Sequence, residues 1–234
     1  LGGAGFVIKD KNNIIGLDLY LSNACENALG ECKKLIPSPL RPEEIKLNFL
    51  ISTHDHGDHL DIGSLHKFIN NKTNTKLIGP GSVIKKCKSL DINDTKLIKL
   101  DRDEIKEIND FSIKAVFSDH GNAAPDCIGV LIKTNKRNIY FTSDTCYRPD
   151  LPKLVNLKDK INVLIVPING TYGNPDSKDA SYITAWVKPQ IVIPSHFWQF
   201  IEQGGNPGEF LEYCSKISPE TKIVILAIGE GMYF

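Results

Sequence analysis

Ile51-Ser52-Thr53-His54-Asp55-His56-Gly57-Asp58-His59-Leu60 is the stretch on which the reading of the whole chain turns. Three imidazoles and two carboxylates fall between positions 54 and 59. Titratable groups crowded this closely repel one another when charged alike, and burying them without a partner carries a desolvation cost. A cation resolves both problems. The stretch follows an apolar run at residues 47–52 that has the length of a strand, and it precedes a helical pattern at residues 60–70. His54 and His56 are two apart, so in an extended segment they project to the same side. Gly57 lets the backbone turn before Asp58 and His59. Two ligand pairs offset by a turn suit two adjacent metal ions. The competing reading is a solvated polar loop with unconnected histidines.

His-x-His-x-Asp-His after a strand resembles the metallo-β-lactamase superfamily. That resemblance makes a demand on the rest of the chain: a later His, a later Asp and a final His, each at a strand end. Working outward from the motif, residues 111–117 read as a strand and run directly into Ser118-Asp119-His120. Residues 127–134 and 138–143 form an expected hairpin across Asn135-Lys136-Arg137, and its second strand ends in Ser143-Asp144. Residues 162–167 are a continuous apolar strand leading to the tip Asn169-Gly170-Thr171-Tyr172. A further strand at 190–194 ends in Ser195-His196. The demanded His120, Asp144 and His196 are all present.

The remaining pattern supplies the frame. Residues 6–9 and 13–19 flank Lys11-Asn12 in a hairpin pattern whose second run ends at Asp18. Residues 22–42 read as loop, broken by Gly30, Pro37, Pro39 and Pro42, and a loop of that length inside a domain is often functional. Strands are expected at 75–79, 96–100, 223–228 and 231–234. Helices are expected at 82–89, 177–187 and 207–216. Strand–helix alternation followed by consecutive strands suggests stacked sheets with outer helices. The resemblance implies an α/β (α+β) fold, a four-layer αββα sandwich, with residues 1–234 as a single domain.

Composition excludes several classes. The chain has 234 residues, 41% of them hydrophobic, and Lys+Arg and Asp+Glu are 28 each, so the formal net charge is zero. Nothing global marks a nucleic-acid or membrane partner, and no apolar run approaches the ~18–20 residues of a membrane span. Six scattered cysteines without a Cys-x-x-Cys pair read as reduced thiols in a cytoplasmic protein, although Cys25 and Cys32 are close enough in sequence to be bridged. The chain opens at Leu1 inside a strand-like pattern, so the expectation is a trimmed start or a late numbering; no targeting segment is visible.

Within the superfamily the chain looks most like the L-ascorbate-6-phosphate lactonase group. The carriers are Leu1-Gly2-Gly3-Ala4-Gly5-Phe6, Ser52-Thr53-His54-Asp55-His56, Asp144-Thr145 with Tyr147-Arg148-Pro149, Pro167-Ile168-Asn169-Gly170 and Ile193-Pro194-Ser195-His196. Its departures are a shorter chain than the true lactonases and a different segment, Phe197-Trp198-Gln199-Phe200, after the last His. The resemblance implies a metal set of His54, His56 and His120 at one position and Asp58, His59 and His196 at a second. Asp144 would lie between them, and Asp18 would support the metal loop from behind. Asp18 has a competing role, accepting hydrogen bonds from the next loop's amides. Nitrogen-rich ligation favours zinc and the resembled lactonases suggest manganese, one or two ions per chain. Asp58 and His59 are the candidate catalytic pair, Asp58 as proton acceptor.

The implied activity is hydrolysis of a small anionic lactone or ester by a metal-activated hydroxide. Arg148 is a candidate for the substrate anion, with an ion pair to Asp150 as the competing reading. Asn169, Gly170 and Tyr172 are candidate substrate-binding residues, with a plain turn before the next helix as the alternative. Cys146 reads as a packed thiol rather than a soft ligand, and His66 as a surface helix residue. The rival enzyme is a phosphodiesterase or nuclease of the same fold, though no basic arm for nucleic acid is present. A di-iron redox protein would put Glu at position 56 and carry a flavin domain. A non-catalytic metal-binding scaffold ranks last, because every ligand position is filled. The expected partner is a small molecule, and a homo-oligomer is left open.

Overall fold

A computed structural model describes all residues except 11, 12, 71–73, 109 and 135. The chain divides into two compact units. The first comprises Leu1–Asp101, Trp198–Glu202 and Ile228–Phe234; the second comprises Arg102–Phe197 and Gln203–Ala227.

In the first unit, β1 (Phe6–Asp10) pairs antiparallel with β2 (Asn13–Leu17). Helix α1 (Ala24–Leu29) follows, then β3 (Phe49–Ile51), α2 (Ile62–Ile69), β4 (Lys76–Gly79), α3 (Gly81–Ser89) and β5 (Leu97–Lys99). The sheet order is β1-β2-β3-β4-β5, parallel from β2 onward. A parallel strand is covered on both faces, and β3 accordingly reads Phe-Leu-Ile with all three residues buried. Leu47, Leu65, Phe68, Leu77 and Val83 pack the core between this sheet and its helices. Asp61 caps α2 by accepting from Gly63 N, and its other oxygen accepts from Leu21 N and Ser22 N. That single carboxylate therefore ties the segment after β2 to the start of α2.

The second unit contains β6 (Ile105–Ile108), β7 (Phe111–Phe117), β8 (Ile128–Lys133), β9 (Asn138–Phe141), α4 (Leu151–Val155), β10 (Val163–Pro167), α5 (Ser177–Val187), β11 (Ile191–Ser195), α6 (Pro207–Ile217) and β12 (Lys222–Ile223). The sheet order is β12-β11-β10-β9-β8-β7-β6. Strands β7 and β9 are each antiparallel to β8, and β9, β10 and β11 are mutually parallel. So β7, β9, β10 and β11 all point the same way, and their C-terminal ends share one edge. Strand β10, Val-Leu-Ile-Val-Pro, is buried at every position, as a central parallel strand requires. Leu164, Val166, Ile183, Phe210 and Cys214 lie in the core beneath α5 and α6. Both helices start on side-chain caps: Asp176 accepts from Lys178 N and Asp179 N, and Asn206 from Gly208 N and Glu209 N.

Three expectations are corrected. Residues 22–42 are not uniformly loop, since they hold α1, which ends on Gly30 in the left-handed conformation at φ 70°. The glycine that reads as a breaker is a helix cap. The strands expected at 223–228 and 231–234 reduce to β12, because Val224 and Leu226 are only half-buried and Ile225 is exposed, leaving no face for a sheet to cover. Strand β6 and helix α4 are further elements that the sequence pattern did not single out. The hairpin turn at Lys11-Asn12 and the Asn135 position of the second turn lie outside the described residues. No helix among the described residues is long and apolar enough to cross a membrane, and all six cysteines are free.

Candidate metal centre

In the first unit the chain leaves β3 through Ser52 and Thr53 and enters the histidine motif. Asp18, directly after β2, organises that entry from a left-handed backbone at φ 41°. Its Oδ1 accepts Thr53 N at 2.8 Å, and its Oδ2 accepts Thr53 Oγ at 2.6 Å. The same Oδ2 lies 2.7 Å from His59 Nδ1. Both side chains are fully buried. Asp18 therefore accepts the loop's amide and contacts the His59 imidazole with the same carboxylate.

The rest of the motif closes around this anchor. The His54 and His56 ring centroids are 4.5 Å apart, and those of His54 and His59 are 4.1 Å apart. Ligating atoms of His54 and His56, of His54 and His59, and of Asp58 and His59 each lie within 4.8 Å of one another. The turn is made by His59 N and Leu60 N donating to the His56 carbonyl. Gly57 is needed for space rather than for an unusual φ, because a Cβ there would meet Cys25 Sγ at 2.8 Å. His66 is exposed on α2, as a surface helix residue.

In the second unit His120, Asp144 and His196 follow β7, β9 and β11 at the shared edge. His120 Nε2 is 3.7 Å from Asp144 Oδ2, and His196 Nε2 is 3.3 Å from Asp144 Oδ1. All three side chains are buried. Ser143 and His196 have φ values of 60° and 57°. Backbone held in this region by residues other than glycine costs about 1–3 kcal/mol and persists where the surroundings over-determine it, commonly at functional sites.

Around these side chains, the candidate substrate-binding residues have the following surroundings. Arg148 donates through NH2 to Asp150 Oδ2 at 2.9 Å, through Nε to Asp150 Oδ1, and through NH1 to Asp119 Oδ2 at 2.8 Å. Its fork is closed on carboxylates of its own unit, the competing reading from sequence. These hydrogen bonds hold the Asp119 and Asp150 carboxyls below the usual carboxylate range. The Gly170 amide donates to Pro175 O at 3.1 Å, so it is spent inside its own loop. Asn169 is buried, its Nδ2 donating to Thr171 Oγ at 3.1 Å, while Tyr172 is exposed on the same loop. Burial pushes the Cys146 thiol up from its ordinary value. Sequence reasoning missed Ser118 and Asn174, which hold the carbonyl and amide of the Asp144–Thr145 peptide.

A family model described as the beta-lactamase superfamily domain matches residues 19–225. The chain belongs to the beta-lactamase superfamily. It is 25% identical to a UPF0173 metal-dependent hydrolase of Caldivirga maquilingensis, over 98% of this chain and 94% of that protein. Two solved structures share the fold. Isothiocyanate hydrolase from Delia radicum gut bacteria aligns with a TM-score of 0.79 at 18% identity, covering 100% of this chain and 97% of that one. Igni18, a metallo hydrolase from Ignicoccus hospitalis, aligns with a TM-score of 0.75 at 19% identity, covering 98% and 94%. The mixed α/β metallo-β-lactamase fold expected from the motif is thereby shown. Together the family match and these relatives support a metal-dependent hydrolase of this superfamily.

Proposed function

We propose that the chain hydrolyses a small ester or lactone, with His54, His56, Asp58, His59, His120, Asp144 and His196 as the ligands of one or two zinc or manganese ions. The observation that carries this reading is the buried Asp18–His59 contact. A carboxylate on Nδ1 sets the tautomer and leaves Nε2 as the lone-pair donor, the usual preparation of a metal-binding histidine. The donor set also fits: imidazoles and carboxylates are the ligands of catalytic zinc, and they accommodate manganese as well.

When bound, the metal supplies Lewis acidity, which makes a water nucleophilic near neutral pH. The protein's own groups do the rest. Asp18 keeps His59 in one orientation, so no reorganisation is needed during the reaction. Asp58, partly exposed beside His59, would accept the proton that the water gives up. The left-handed turns at Ser143 and His196 aim their neighbouring side chains from the sheet edge. An anionic substrate would need a receiver other than the Arg148 fork.

The test is metal analysis of the purified protein, followed by assays on a neutral lactone, a phosphorylated lactone, an isothiocyanate and bis(p-nitrophenyl) phosphate. The reading expects metal-dependent turnover of a lactone or ester and little of the phosphodiester. Full activity after exhaustive chelation would refute the metal. Turnover of the phosphodiester alone would move the chain to the phosphodiesterase class.

A further inference from the structure

The peptide unit that joins Asp144 to Thr145 is held at both edges by side chains from other segments. Ser118 Oγ donates to the Asp144 carbonyl at 2.6 Å, with the Thr142 carbonyl also in reach at 3.1 Å. At the other edge of the same peptide unit, Thr145 N donates to Asn174 Oδ1 at 2.9 Å. The Thr145 hydroxyl in turn accepts Asp119 N at 3.1 Å. The segment needs this support, because Ser143 just before it is in the left-handed region.

Asn174 is not required to shape the loop it belongs to. That loop is closed by its backbone, Gly170 N to Pro175 O and Asn174 N to Thr171 O. The Asn174 side chain is buried, and among the described residues its Nδ2 has no hydrogen-bond partner. Its one side-chain bond therefore faces away from its own loop and onto the Asp144 segment. A carboxamide buried at the cost of an unsatisfied nitrogen is a poor space-filler, and it is well suited to fix the neighbouring amide.

We infer that Asn174 is a positioning residue for the metal ligand Asp144, with Ser118 as its counterpart on the carbonyl edge of the same Asp144–Thr145 peptide; this rests on the metal-centre reading above. Removing the acceptor at 174 frees the Thr145 amide to seek another partner and lets the Asp144 carboxylate swing. Partners that orient metal ligands typically contribute about 10–100-fold to metal affinity when deleted.

The experiment compares wild type, Asn174→Ala, Asn174→Asp and Ser118→Ala. Each metal-free protein is titrated with Zn2+ against a chromophoric chelator, its unfolding temperature is recorded, and the d–d absorption of the Co2+-loaded form is measured. The expected result is about tenfold weaker Zn2+ binding in Asn174→Ala, with an altered Co2+ spectrum. Asn174→Asp, which keeps an acceptor for Thr145 N, should bind at or above the wild-type affinity with a wild-type spectrum. Ser118→Ala should weaken binding in the same direction as Asn174→Ala. Unchanged affinity and spectrum in Asn174→Ala would overturn the inference, as would equal losses in Asn174→Ala and Asn174→Asp that track the unfolding temperature. A wild-type protein that takes up no divalent metal would instead sink the functional reading and this inference with it, an outcome visible before any variant is made.

Discussion

His59 Nδ1 lies 2.7 Å from Asp18 Oδ2, and neither side chain has solvent access. The carboxylate also accepts the amide and hydroxyl of Thr53. Three donors thus depend on one buried acceptor, so the residue couples stability of the loop to readiness of the imidazole. Asp18→Ala leaves the Thr53 amide and hydroxyl unsatisfied, at about 1–3 kcal/mol for such a buried group. It should also weaken metal binding about 10–100-fold. Asp18→Asn keeps an acceptor for Thr53 and should recover part of the stability while still lowering metal affinity. Thermal melts and metal titrations of both variants decide it: a normal metal affinity in either one would mean that Asp18 serves the loop alone.

The Arg148 clasp makes a pH prediction. Hydrogen bonding from Arg148 holds the folded-state pKa of Asp119 below its ordinary value. A depressed carboxylate binds fewer protons when folded than when unfolded, so its contribution is present above the unfolded pKa. It fades as pH falls through the folded one. Arg148→Ala removes that contribution, so its stability-versus-pH curve should be shallower on the acid side than that of wild type. Metal-free protein melted from about pH 7 to about pH 3 tests this without interference from ligand protonation; parallel curves would count against it. The same variant should lose turnover of anionic and neutral substrates alike, because the fork is already engaged by Asp150 and Asp119. A selective loss on the anionic substrate would restore Arg148 as its receiver.

Local chemistry was legible in the sequence and long-range contact was not. The two-residue spacing of His54 and His56 put both rings on one side, and their centroids are 4.5 Å apart. The strand end before His196 could be read from an apolar run because β11 has parallel neighbours, and the one before His120 from the alternation of buried and half-buried positions in the antiparallel β7. The need for Gly57 could not be read correctly, since the atom it makes room for belongs to Cys25, remote in sequence. Asn174 and Ser118 were invisible for the same reason: each bonds backbone of the Asp144 loop across a gap of more than twenty residues. The C-terminal strands were over-read because apolar residues at a half-exposed edge repeat much as buried ones do.

Lys188 offers a stability prediction away from the site. It ends α5 in the left-handed conformation, at φ 50° and ψ 53°, with its N–H on the Thr184 carbonyl. The side chain is exposed. A non-glycine residue pays about 1–2 kcal/mol in this region. Glycine loses about 0.5–1 kcal/mol through the entropy of the unfolded chain. The difference favours glycine, and the amide is retained. Lys188→Gly should therefore stabilise by about 0.5–1 kcal/mol, raising Tm by roughly 1–4 °C for a domain of this size. A lower Tm would show that the lysine side chain contributes something its exposure does not reveal.

The two histidines His54 and His66 give the sharpest contrast for metal dependence. They lie twelve positions apart on the same unit but in opposite environments. His54 is fully buried, its ring packed at 4.1 Å from His59 and with a ligating atom close to those of both His56 and His59. Imidazole nitrogens gathered this closely form a donor set of the kind that holds a divalent cation. His66 is exposed on α2 and belongs to none of these clusters among the described residues. His54→Ala should therefore lower the metal retained after dialysis and abolish turnover. His66→Ala should leave both unchanged and alter stability by less than about 0.5 kcal/mol, the usual range for a surface substitution. Metal analysis of the two variants side by side, with the unfolding temperature of each metal-free form, separates ligand loss from general damage. If His54→Ala keeps the wild-type metal content, the motif at 54–59 holds its histidines for some purpose other than a metal, and the hydrolytic mechanism loses its foundation.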